Sequence, residues 1–94
     1  MTSSVGVSYD AEKRRLTLEN RGLDFEHAVQ IFAGITLTIE DDRRDYGETR
    51  FQTLGFLEHR LIMLVWTPRD GLRHIISMRK ASDRERKKYD AQME

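Results

Sequence analysis

RLIMLVWTPRDGLRHIISMRK, residues 60–80, carries the two signals that decide the fold. Its first seven residues, Arg60–Trp66, are almost continuously apolar. Only a strand covered on both faces tolerates so little alternation, so this segment reads as the central strand of a sheet. Thr67-Pro68-Arg69-Asp70-Gly71 has strong turn chemistry and reads as a hairpin loop. Residues 72–78 then form the next strand, antiparallel to the first. On an ideal strand, period-2 alternation places Arg73, Ile75, Ser77 and Arg79 on one face and Leu72, His74, Ile76 and Met78 on the other.

Upstream of the central strand, Glu58-His59 makes a tight turn, and Phe51, Leu54, Phe56 and Leu57 mark a strand ending at Leu57. Gly55 within it signals a bulge or a close backbone approach. The polar run DDRRDYGET, residues 41–49, is a loop, and Ile35, Leu37 and Ile39 alternate with polar residues as a half-buried strand. Before that, Asp24 caps a helix whose Phe25, Ala28, Val29 and Phe32 fall at i, i+3, i+4 and i+7, with Gly34 as its end. Asp10 caps an earlier helix over 11–20, stopped by Gly22 in a left-handed conformation. Its face is irregular, because Leu16 and Leu18 cannot both point inward. A short first strand around Val5 and Val7 ends near Tyr9. Downstream, Ser82 and Glu85 form a capping box opening a last helix with Tyr89 and Met93. The expected architecture is one α+β domain over 1–94: a curved antiparallel β-sheet with two N-terminal helices and one C-terminal helix, the helices on one face.

Ninety-four residues without cysteine exclude disulfides, thiolate catalysis and cysteine-based zinc sites, and leave stability to packing or a partner. No apolar run is long enough to cross a bilayer, and no secretory signal is visible, so the expected location is cytoplasmic. Sixteen basic and sixteen acidic groups cancel, yet they are unevenly placed. Residues 60–88 hold nine basic groups against three acidic ones, and twelve of the sixteen basic residues in the chain are arginine. Arginine grips phosphate through a planar fork that lysine lacks. A cationic strip on the last strand suits a phosphodiester backbone, although a solvated surface gives the same composition.

His27, His59 and His74 show no metal-ligand spacing and read as structural or surface residues, with no cofactor implied. The acidic cluster Glu40-Asp41-Asp42 reads as a partner for Arg43 and Arg44. No phosphate-cradling glycine loop, paired-carboxylate signature or nucleophile elbow is present. Trp66 reads as core, with base stacking as the other possibility.

Taken together, YDAEK, NRGLDFEHAVQIF, EDDRRDYGETRFQTLGF, LIMLVWT and LRHIISMRKASDRERKKY resemble the BrnT family of small bacterial ribonuclease toxins, from about Tyr9 to Tyr89. The resemblance implies a RelE-like fold, metal-independent RNA cleavage and neutralisation by a BrnA-like antitoxin, with operator DNA bound only through that antitoxin. Tyr9, Asp10 and Lys13 match the family's start. So do Asp41, Tyr46, Glu48 and Arg50 in the loop, and Arg73, Ser77, Arg79, Lys80, Glu85, Arg86 and Tyr89 at the end. Where the family carries Lys-His-Gly, this chain has Asn20-Arg21-Gly22, so a proton-transfer candidate is missing.

The expected chemistry is attack by the substrate's own 2′-OH, aided by positioning and charge stabilisation. Arg79, Lys80 and Lys13 are the expected catalytic residues, with Arg79 and Lys80 together at the scissile phosphate. Arg73, Arg21, Arg50, Arg60 and Arg84 are the expected RNA-binding residues. Two other readings remain: a weak or inactive homologue acting as corepressor with its antitoxin, or a non-enzymatic RNA-binding protein. No membrane contact is expected.

Overall fold

A computed structural model of the chain describes residues 6–93. The proposed strand residue Val5 lies outside them. Five strands, β1 (Val7–Tyr9), β2 (Leu37–Glu40), β3 (Phe51–Leu57), β4 (Arg60–Arg69) and β5 (Leu72–Lys80), form one sheet in the order β1-β5-β4-β3-β2. The helices are α1 (Ala11–Arg21), α2 (Ala28–Ala33), entered through a 3₁₀ turn at Phe25–His27, and α3 (Asp83–Met93).

The meander β2 to β5 is antiparallel throughout, with β4 between its two sequence neighbours as expected. Two features of the expected architecture are corrected. The sheet is mixed, because β1 pairs parallel with β5, Val7 opposite Arg73 and Tyr9 opposite Ile75. The helices occupy both faces rather than one. Leu23, Phe25, Ala28 and Ile31 from the α2 side pack on Leu57, Ile62, Leu64, Ile75 and Met78. On the opposite face Tyr89 of α3 packs with Leu54, Leu61 and Met63. Hence β4 has apolar neighbours on both sides, which its composition already required.

Local chemistry sets the ends of these elements. Asp10 accepts from the Lys13 amide, and Gly22 at φ 69° closes α1 with its amide on the Leu18 carbonyl. α1 buries no residue, in keeping with its irregular face. Ser82 and Glu85 exchange side-chain-to-backbone bonds of 2.8 and 3.1 Å, forming the capping box of α3. The 3₁₀ start, at three residues per turn, rotates the second helix so that Phe25, Ala28 and Ile31 are buried while Val29 and Phe32 are only half-buried. The turn between β4 and β5 is shorter than expected. Asp70 and Gly71, at φ 53° and 76°, form a two-residue loop, and residues 67–69 belong to β4. Pro68 is tolerated there because pairing of β4 with β3 stops at Trp66.

One residue interrupts the alternation of β5. Val65 pairs with Ser77 and Trp66 with Ile75, leaving Ile76 unpaired as a β-bulge. Paired residues project to the same face of a sheet. Arg73, Ile75, Met78 and Lys80 therefore face α2, whereas His74, Ser77 and Arg79 face the α3 side. The expected grouping of Arg73 with Arg79 is thus overturned, and His74 moves onto the face that Arg79 occupies.

Gly55 marks a close approach and not a bulge, since β3 keeps regular register with β4. A Cβ there sits 2.7 Å from Ile31 Cγ2 and 3.0 Å from Thr36 Cγ2. Gly55→Ala is predicted to lower stability by about 1–3 kcal/mol, the usual penalty for overpacking. Urea unfolding checks this, and an unchanged midpoint contradicts the packing described.

Candidate functional site

α3 covers only part of its face of the sheet. Gln52 of β3, Val65 of β4 and His74, Ser77 and Arg79 of β5 stay half-buried on this face, and α1 packs at the β5 edge. A cleft of about 340 Å³ lies beside α3, lined by Leu37, Ile39, Arg43, Gln52, Leu54, Met63, Arg79, Arg84, Glu85 and Lys88. Four of these side chains are cationic and one is a carboxylate. A second cleft of about 270 Å³ lies between α1 and β5, lined by Lys13, Leu16, Thr17, Asn20, Arg21, Ile76 and Ser77. Ser77 and Arg79 share a face of β5, so the two clefts adjoin along that strand.

Arg79 is held by Glu85 through a bidentate pair, Nη1–Oε1 and Nη2–Oε2 both 2.8 Å. The Arg79 guanidinium pulls the Glu85 carboxyl down to about 2, against the penalty of burial, with the Ser82 amide adding to the effect. Glu85 is therefore ionised at neutral pH and orients the guanidinium. A guanidinium has five N–H donors, so donors remain for a phosphate. Arg84 and Lys88, one turn apart on α3, make no ion pair among the described residues. Arg43 is tied to buried Asp41 at 2.7 Å, which lowers that carboxyl to about 2.

The other sequence-derived candidates are dispersed. Lys80, next to Arg79 on the strand, projects to the opposite face and lines a third cleft with Arg60 and Arg86. The expected pairing of Arg79 with Lys80 at one phosphate is therefore corrected. Arg73 lies over Phe32 at 4.2 Å and near Trp66 at 5.5 Å. Arg50 lies over Tyr46 at 4.1 Å and is bonded to Glu48. Arg21 donates to the Met78 carbonyl at 2.9 Å, on the edge of β5 beyond the end of β1, so this guanidinium ties α1 to the sheet. Trp66 is half-buried between Phe32 and Phe51, its indole N–H donating to Thr53 Oγ1 at 2.8 Å. Among the described residues no group of three or more His, Cys, Asp or Glu is placed to hold a metal ion.

By sequence His74 reads as structural and opposite Arg79; the structure places it on the face of Arg79. Its Nδ1 lies 3.0 Å from Ser8 Oγ across the parallel β1–β5 pair. Burial pushes this imidazole below its usual value, helped by Arg69 and Lys13 and opposed by Glu48 and Asp10. His27 and His59 are exposed. Two things hid His74: the bulge that changes its face, and the parallel pairing that supplies Ser8. Neither has a sequence signature.

The sequence model of a family described as the ribonuclease toxin, BrnT, of type II toxin–antitoxin systems matches residues 9–85. No curated protein matches the chain.

The Glu85 carboxyl, depressed on folding, stabilises the native state above its unfolded value near 4.5, and that contribution is lost as pH falls towards 2. Asp24, lowered to about 2 mainly by Arg14, and Asp41 act with the same sign. Stability is predicted to fall between about pH 5 and 2. Glu85→Gln is predicted to cost about 1 kcal/mol at pH 7, since the pair is partly exposed, and to flatten this acid limb. Urea midpoints across that range decide it; identical limbs in both proteins contradict the pairing.

Proposed function

The chain belongs to the BrnT family of ribonuclease toxins of type II toxin–antitoxin systems, and from that premise we propose that it cleaves single-stranded RNA, without metal, on the open sheet face between α1 and α3. The convergence of Arg79, Arg84, Lys88 and Arg43 on one cleft is the observation that carries this reading. Phosphates of the strand lie against these cations, with Lys13 and Arg21 flanking them along α1. Arg79, fixed by Glu85, stabilises the charge that grows on the phosphoryl oxygens during attack by the 2′-OH. The products are a 2′,3′-cyclic phosphate and a free 5′-OH. Arg60, Lys80, Arg73 and Arg50 lie outside this path and serve, at most, more distant phosphates.

The family pairs each toxin with an antitoxin. We assign that role here to a small BrnA-like protein acting in the cytoplasm, which alone carries the operator-DNA contact. Ile39, 41% exposed, lines the cationic cleft, and Ile35, 73% exposed, precedes the same strand; both support docking at this end of the sheet. Arg21, standing where the family carries His and already bonded to Met78, favours a second reading as a weakly active corepressor.

End-labelled RNA incubated with the protein in EDTA is expected to yield cyclic-phosphate ends, and no cleavage where a 2′-deoxy nucleotide replaces the attacking one. Arg79→Ala is predicted to slow cleavage by about 10²-fold, as for loss of one oxyanion donor. Arg84→Ala with Lys88→Ala is predicted to weaken binding and reduce the log–log salt slope by about 1.4, two single-strand phosphate contacts. Absence of any cleavage turns the reading to the corepressor; full cleavage by R79A removes the clamp.

A further inference from the structure

Arg21, on the wall of the α1–β5 cleft, carries a guanidinium, a group that does not serve as a proton acceptor. A ribonuclease that uses the 2′-OH still gains from a base near that hydroxyl. The open sheet face holds one imidazole. Met63, Val65 and Thr67 of β4 oppose Arg79, Ser77 and His74 on this face, so His74 and Arg79 stand about 13 Å apart along it, at 3.3 Å for each of four residues. Ser77 lies between them on the same face.

We propose, resting on the ribonuclease reading, that His74 is the general base of this chain, oriented by Ser8 and brought to the RNA face by the bulge at Ile76. Nδ1–H donates to Ser8 Oγ, the tautomer that leaves the Nε2 lone pair free. Among the described residues no buried side-chain nitrogen or oxygen lacks a partner, and Nε2 makes no hydrogen bond, so Nε2 opens to solvent. During cleavage Nε2 takes the proton of the 2′-OH while O2′ bonds to phosphorus. The P–O5′ bond breaks, and O5′ takes a proton from water or from the Lys13 ammonium.

The groups facing His74 suit this role. Burial is the largest influence and disfavours the imidazolium, Arg69 of β4 and Lys13 of α1 add to it, and Glu48 and Asp10 oppose it. The net displacement is downward from 6.5, so the imidazole is neutral at pH 7 and able to accept. Protonation at lower pH removes the base.

Single-turnover cleavage of labelled RNA, measured from pH 4.5 to 8 in EDTA, tests this. The unmodified protein is expected to gain rate with pH through one inflection below 6.5 and then level off. His74→Gln is expected to lose that inflection and about 10² in rate at neutral pH, while binding a 2′-deoxy strand as before. Added imidazole is expected to restore His74→Ala in proportion to its free-base fraction, a rescue that a purely structural histidine does not show. A profile without inflection in the unmodified protein overturns the proposal and needs no variant to fold. Equal rates in H74Q overturn it while leaving the ribonuclease reading standing. A protein that cleaves no RNA at any pH overturns both.

Discussion

Ile75 and Met78 sit in the same core beneath α2 although they are three residues apart on β5. A regular strand would put them on opposite faces. The unpaired Ile76 reconciles the two, because one extra residue reverses the alternation on either side of it. Both side chains are fully buried, so the register of β5 against β4 is pinned from each flank of the bulge. Shifting either half by one residue would expose a large apolar group and bury a polar one. The face taken by Arg73, His74, Ser77 and Arg79 on β5 follows from this demand of the core.

The charge distribution then divides between the two faces. Arg73 is absorbed on the α2 side, its guanidinium over Phe32 and beside Trp66, where the rings cover it and limit its reach. Arg79 goes to the other side, where Glu85 of α3 fixes its plane. The capping box that starts α3 also positions Glu85, since the same carboxylate accepts from the Ser82 amide. A single residue therefore begins the helix and orients the arginine. Helix initiation and site geometry are coupled through it.

β1 and α1 handle the far edge of the sheet. Among the described residues β1 pairs with β5 only from Arg73 to Ile75, and no other strand borders that edge. Arg21 reaches from the end of α1 to the Met78 carbonyl and satisfies one of these edge acceptors. This helix contributes nothing to the buried core and is held by such polar ties and by its own caps. Its outer position turns Lys13, Thr17 and Asn20 into the wall of a cleft over Ser77.

The sequence by itself determined the elements and the meander. The apolar density of Arg60–Trp66, the turn chemistry of Thr67–Gly71, the Asp10 cap and the Ser82–Glu85 box are local signals, each read from a few neighbouring residues. It also marked Arg79 and Arg84, because arginine-rich segments advertise themselves by composition. Which face each side chain took was decided only in three dimensions. The bulge is caused by the joint burial of Ile75 and Met78 against residues far away in the chain, and no local pattern at Ile76 announces it. Parallel pairing of β1 joins Ser8 to His74 across 66 positions, a contact set by loop closure and edge coverage. Helices on both faces follow from the two-sided burial of β4, yet their assignment to faces depends on chain connectivity. Period-2 reasoning failed on β5 because alternation holds only while every residue stays paired.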